Sequence, residues 1–286
     1  MQNIFYKIYN FSLAFPKKLL YTHIQLGTGP FPVRFAVGKT GKACPEGVRQ
    51  MGGTVDPLRG LGLDGAWHNF VFLGEAGSGK SEIAISFAKA LAKTEARPVH
   101  FFDLDMTKPL FRSRDAGEEL ERAGVAVHYQ EQFMDAPTLV GGVDPMLRDE
   151  DSLVVLDVGG DHIGARSIGG FAPQLNRPST AVFYVINAYR PWSDTIEHID
   201  GTLGKILGVS HVKLTQLFLV ANPNNGVSTT LDEVVEGYRR TDALVREYMP
   251  LTFACVREEL AEEAAKALSV PVFPLRLALT YPWLTD

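Results

Sequence analysis

The sequence predicts an α/β fold: a mostly parallel central sheet with helices on both faces, preceded by an irregular or β-rich N-terminal extension. Three observations lead there. From about residue 68 onward, apolar runs recur at short intervals. Stretches of helical period lie between them, and repeated strand–helix–strand wiring builds a parallel sheet. Residues 1–66 break the pattern, being rich in Gly, Pro and turn dipeptides ("GTGPFPV", "GKTGKACPEG", "RGLGLDG") with little helical periodicity.

Taken in order, 1–66 is read as a basic Gly/Pro-rich extension and 67–286 as one domain. "NFVFL" is the first strand, and "SEIAISFAKALAK" the amphipathic helix after it. "PVHFFDLD", "VAVHY", "SLVVLDV" and "TAVFYVIN" follow as strands, then "DTIEHIDGTLGKIL" as a helix. "KLTQLFLVAN" is a strand, "LDEVVEGYRRTDALVREY" a helix, "PLTFACV" a strand, "REELAEEAAKAL" a helix and "VPVFPL" the last strand. Most of these strands are continuously apolar, which suits strands covered on both faces. In such sheets ligands bind beyond the carboxyl ends of the strands, so the residues just after each strand are the ones to question.

At 286 residues and 45% hydrophobic content, the chain can bury one large core or two small ones. No window is apolar for long enough to span a bilayer, so no integral membrane association is expected. The opening "MQNIFYKIYNFSLAFPKKLLYTH" lacks a lysine-first region and a small-residue cleavage site, so no signal peptide is expected. The two cysteines, Cys44 and Cys255, have no metal or CxxC spacing and fit a reducing compartment. A cytoplasmic protein is expected. The net charge of −5 is uneven: residues 1–66 carry eight Lys/Arg against three Asp/Glu, leaving the remainder strongly acidic. An acidic body argues against nucleic acid as a partner. The basic extension suits an acidic partner, lipid head groups or the body itself.

Gly74-Glu75-Ala76-Gly77-Ser78-Gly79-Lys80-Ser81 satisfies GxxxxGK[ST], after a buried strand and at the start of a helix. Glycines there let successive N–H groups point at phosphate oxygens, and the helix N-terminus adds positive potential. Lys80 is expected to bridge β- and γ-phosphates, and the Ser81 hydroxyl to ligate Mg²⁺. "VGKTGK" in the extension is no second phosphate loop, because it lacks the strand and the full spacing.

Asp103 and Asp105 end the next strand, which is expected to lie next to the phosphate loop. Two carboxylates there can order Mg²⁺ waters and orient a nucleophilic water, or one of them can cap the following turn. "LVVLDVGGDHIGAR" has the Walker B shape, so Asp157 is expected to bind Mg²⁺ through water. Gly159 and Gly160 allow close approach to a γ-phosphate, and Asp161-His162 extend the loop. The other histidines show no paired-ligand spacing, and no structural metal is expected. Asn222, in "LFLVANPNNG", offers a donor and an acceptor that match the adenine edge, with Asn187 in "FYVINAYRP" as the competitor. Either is also a plausible turn residue. The guanine-reading NKxD pattern is absent, which favours ATP.

The order of these motifs resembles the MinD/ParA/CobQ/CobB group (SIMIBI class) of P-loop ATPases, over residues 70 to about 276. The resemblance implies ATP and Mg²⁺ as cofactors, complex formation on ATP binding and a reset on hydrolysis. It implies that Asp105 positions the attacking water and that "LTFACVREELAEEAAKALSVPVFPL" packs its loop near the adenine. Three departures stand out. The loop is of the ordinary kind, with Glu75 and Ala76 and no KGGxGK lysine, which counts against a nucleotide-sandwich homodimer of the usual kind while leaving a homodimer open. "RLALTYPWLTD" is no basic amphipathic membrane helix. The cysteines do not match the pair that holds a cluster in the iron-protein relatives, so no Fe-S cluster is expected.

The expected function is a Mg²⁺-dependent ATPase acting as a switch on a protein partner. The alternatives are an ATP-dependent small-molecule enzyme, with the arginines of "PLFRSRD", "IGARS" and Arg190 holding an anionic substrate, or a non-hydrolysing ATP-binding adaptor.

Overall fold

The computed structural model describes residues 61, 67–105, 116–128 and 142–279. The extension (Leu61 apart), Cys44 and the arginines of "PLFRSRD" lie outside the described residues. Every strand anticipated from the apolar runs forms: β1 Asn69–Gly74, β2 Val99–Leu104, β3 Val125–His128, β4 Leu153–Val158, β5 Thr180–Ile186, β6 Leu217–Ala221, β7 Leu251–Arg257 and β8 Val272–Leu275. Cys255 lies inside β7 and is fully buried.

The strands join one parallel sheet in the order β3-β2-β4-β1-β5-β6-β7-β8. This corrects one expectation. β2 does not lie beside β1, because β4 is inserted between them and brings Asp157 into register with Asp103. The central strands β4, β1 and β5 are buried at every position, which is why their sequences are unbroken apolar runs rather than alternating ones. Helices and strands so arranged, with the glycine loop after β1, make an α/β fold of the P-loop NTPase kind.

The principal helices are α1 Lys80–Thr94, α6 Ile196–Ser210, α7 Leu231–Val245 and α8 Glu258–Ala267. Between them lie short α2 Gly117–Arg122, α3 Val143–Arg148, α4 Asp161–Ala165 and α5 Ala172–Leu175. α1 is fixed by Phe87, whose ring lies 5.1 Å from Phe70, 5.5 Å from Phe72, 5.8 Å from Phe183 and 5.6 Å from Phe273. Its spacing from Ile83, Ala84 and Leu91 puts the apolar stripe of α1 against the sheet. Thr230 starts α7 with a full capping box, accepting from Glu233 N while its own N–H donates to the Glu233 carboxylate.

The short helices escape a periodicity argument because they hold too few turns to show a stripe. α4 is an example, since Asp161 and His162 read as loop. Asp161 sits in the left-handed region (φ 64°), and its carboxylate accepts from Ile163 N at 2.6 Å, closing a tight turn at the start of a helix that packs on α6.

Candidate functional site

The carboxyl end of β1 runs into Gly74–Gly79 and then α1 without a break. Gly79 has φ 92°, a conformation costly for any residue with a Cβ, and it stands immediately before the first helical residue, Lys80. A Cβ on Gly79 would come 2.2 Å from Asn222 Nδ2. The loop therefore needs glycine for its backbone angle and for the close approach of a side chain beneath it.

Lys80 is nearly buried, and its Nζ donates to the Glu75 carbonyl at 2.9 Å, arching across the loop. Ser78 N donates to the same carbonyl at 3.2 Å. Glu75 itself turns to α6: one carboxylate oxygen accepts from Thr202 Oγ at 2.8 Å and the other from Ala76 N at 3.2 Å. Nothing in the sequence flags Thr202, which lies 127 residues away. Its role appears only once α6 is packed.

Asn222 follows β6 and places its side-chain amide on the phosphate loop, where Nδ2 donates to Ser78 O at 2.7 Å and Oδ1 accepts from Asn224 at 3.3 Å. Asn187, after β5, donates to Asn224 O at 2.9 Å and accepts from Tyr189 N at 2.9 Å. Both are buried, and both brace the turns around the loop. Arg190 closes the same β5 turn and donates its Nε to Gly77 O at 3.0 Å.

The carboxylates gather on the other side of β1. Asp157 is wholly buried, and neither of its oxygens meets a donor at hydrogen-bonding geometry. Burial, with the charge of Asp103 next, lifts its carboxyl from an ordinary 3.8 to about 7, although the Ser81 hydroxyl and Lys80 lie close enough to pull it back in part. Asp103 and Asp105 are nearly buried as well, and Asp103 accepts from Asp105 N at 3.0 Å, the bond of a capped turn. Gly159 and Gly160 pack tightly here. A Cβ on Gly160 would stand 2.8 Å from Ala76 Cα, and one on Gly159 would stand 3.0 Å from Asp105 Oδ1. The Walker B turn thus touches both the phosphate loop and Asp105.

A buried carboxylate lacking well-formed hydrogen bonds, beside a serine hydroxyl and at the foot of a glycine loop that opens a helix, fits a hard divalent cation that accepts only oxygen. Among the described residues no group of three or more His, Cys, Asp or Glu is arranged to hold a metal by itself. A cation here would fill its shell with water and phosphate oxygens, as Mg²⁺ does. The structure brings together every predicted site residue: Gly74 to Ser81 in the loop, Asp103, Asp105, Asp157 and Gly160 on one flank, and Asn222 on the other.

Among the described residues, the large apolar side chains left exposed are Ile163 (60%), Trp192 (57%), Val227 (43%) and Tyr248 (42%). All but Tyr248 lie in segments that follow the carboxyl ends of β4, β5 and β6, the edge that carries the phosphate loop. No described helix is long and apolar enough to cross a membrane.

No family model matches the chain, and no curated protein matches it. Similar backbones occur among solved structures. The signal recognition particle 54 kDa protein of Aeropyrum pernix K1, in complex with GDP, is 17% identical with a TM-score of 0.44, covering 67% of this chain and 42% of that one. The signal recognition particle receptor FtsY of Elizabethkingia anophelis, in complex with GDP, is 15% identical with a TM-score of 0.35, covering 55% of this chain and 48% of its own. FtsY of Thermotoga maritima is 16% identical with a TM-score of 0.40, covering 66% of this chain and 62% of its own. The chain thus spans less than two thirds of each of these proteins.

Proposed function

We propose that residues 67–286 form a Mg²⁺-dependent ATPase domain that works as a nucleotide switch on a protein partner. The observation that carries this reading is Asp157, a buried carboxylate without a donor, set beside Ser81 and Lys80 under a glycine loop. That arrangement is costly unless a cation and phosphate complete it.

In this reading the N–H groups of Gly77 to Lys80 hold the phosphates, and Lys80 exchanges its bond to Glu75 O for phosphate oxygens. Ser81 and, through water, Asp157 and Asp103 hold Mg²⁺, which when bound neutralises phosphate charge. Asp105 orients the attacking water, and Gly160 N–H approaches the γ-phosphate. Gly160 already rests on Ala76, so a phosphate arriving in the loop moves the turn that leads to Ile163. The exposed apolar side chains around this edge suit a protein partner that senses that movement. The motif order resembling MinD/ParA proteins supports a switch, and the absence of NKxD supports ATP over GTP.

The test is titration calorimetry of the purified protein with Mg·ATP and Mg·GTP, followed by phosphate release. Binding of Mg·ATP that is lost on chelating Mg²⁺ is expected. Tighter binding of Mg·GTP would overturn the choice of base, and binding of neither would overturn the reading.

A further inference from the structure

We propose that Arg190 is a phosphate-contacting catalytic residue supplied from the chain's own β5 turn, placing its guanidinium on the phosphoryl group being transferred. The proposal rests on the ATPase reading above.

The placement comes from the sheet. β5 pairs with β1 along its length, Val185 opposite Gly74, so the turn that leaves β5 opens beside the phosphate loop. That turn is fixed at several points. Arg190 N donates to Asn187 O at 3.0 Å, Ser193 N donates to Arg190 O at 3.0 Å, and buried Asn187 is itself hydrogen-bonded. The residue immediately before the arginine is also pinned: the Tyr189 hydroxyl donates to Glu233 O at 2.5 Å. An arginine held by so rigid a stem loses little freedom when its head group engages a ligand.

The side chain then lies along the loop. Its Nε donates to Gly77 O, and its Nε and Cδ stand 3.6 and 3.8 Å from where a Gly77 Cβ would be. Among the described residues no carboxylate forms an ion pair with Arg190, and no hydrogen bond uses its Nη groups. The nearby acids are taken: Glu75 by Thr202 and Ala76, and Asp194 by His198 at 2.6 Å. A half-buried arginine is therefore laid along the glycine loop with its outer donors directed to no acid among the described residues. Phosphate oxygens are the acceptors whose geometry that fork matches.

In the reaction, the water oxygen bonds to the γ-phosphorus and the bridging bond to the β-phosphate breaks. The electron pair leaves with ADP, and the water's proton passes to the phosphate product. Negative charge on the transferred group and its leaving oxygen is what a guanidinium stabilises without itself exchanging a proton.

The experiment compares Arg190→Met and Arg190→Lys with the wild-type protein, after thermal melts establish that each is folded. Arg190→Met should lose about 10²- to 10³-fold in turnover, while its affinity for Mg·ADP changes by less than about threefold. Guanidinium chloride at low millimolar concentration should restore part of the Arg190→Met turnover and none in Lys80→Met. Arg190→Lys should fall in between. Wild-type turnover in Arg190→Met overturns the proposal. So does an equal loss of ADP and ATP affinity without guanidinium rescue, since that is the behaviour of a strut holding Gly77. If the wild-type protein binds no Mg·nucleotide, the ATPase reading itself has failed, and this assignment goes with it.

Discussion

At the scale of single residues, the site trades stability for binding. Asp157 holds its proton more tightly folded than unfolded, because burial and the Asp103 charge raise its carboxyl to about 7. Between the ordinary 3.8 and about 7 the native state binds more protons than the unfolded chain, so stability of the nucleotide-free protein falls as pH rises through that window. Asp157→Asn removes the charge and keeps the shape. It should stabilise the nucleotide-free protein at pH 7.5, on the order of 1–3 kcal/mol, while abolishing Mg²⁺-dependent nucleotide binding. Urea melts at pH 5 and pH 7.5 check both the sign and the window, and a variant less stable than wild type at pH 7.5 refutes the account. Gly160→Ala acts differently. Its Cβ would sit 2.8 Å from Ala76 Cα, so the Walker B turn must back away from the loop. Turnover should drop at least tenfold, a barrier change of about 1.4 kcal/mol, in a protein whose circular dichroism is unchanged.

At the scale of elements, α1 is the part that ties the glycine loop to the core. Phe87 touches rings from β1, β5 and β8, so Phe87→Ala opens a cavity at the junction of helix and sheet. A loss of about 3–5 kcal/mol is expected in equilibrium unfolding. Glu82, on the same helix, accepts from Ala278 N at 2.8 Å and Leu279 N at 3.1 Å, tying the segment after β8 back to α1. Glu82→Ala leaves those two N–H groups without their acceptor. Limited proteolysis should then cut after β8 sooner than in wild type, and equal cleavage rates would show that the tie is not what holds this segment. The four longest helices were legible as periodic stripes. α4 was not, because a single turn, braced by the Asp161–Ile163 bond and packed on α6, is too short to show a stripe.

At the scale of the whole molecule, the sheet gathers the glycine loop, the Walker B turn and the exposed side chains of Ile163, Trp192 and Val227 on one edge. Ligand binding there should stabilise the entire domain. At a hundredfold excess over Kd the gain is about 2.7 kcal/mol, or roughly 5–10 °C in Tm for a domain of this size. Mg·ATP should produce that shift, ATP with chelator should not, and equal shifts with and without Mg²⁺ would count against a metal at Asp157. Trp192→Asp combined with Ile163→Asp should leave this shift in place yet abolish retention of a protein partner in pull-downs made with ATP.

The sequence by itself determined where strands and long helices fall, and it determined the phosphate loop. Those depend on local matters: unbroken apolar runs, helical period, and glycines at fixed spacing before a helix. Tertiary structure alone decided that β4 divides β2 from β1, which buries Asp157, sets it against Asp103 and so gives Asp157 its hold on a proton. It also decided that Asn222 and Arg190 would grip the phosphate loop from 144 and 113 residues away. The physical reason is range. Backbone preference and periodicity are written over a few neighbours, whereas strand order, desolvation and the meeting of distant side chains exist only once the whole sheet has closed around them.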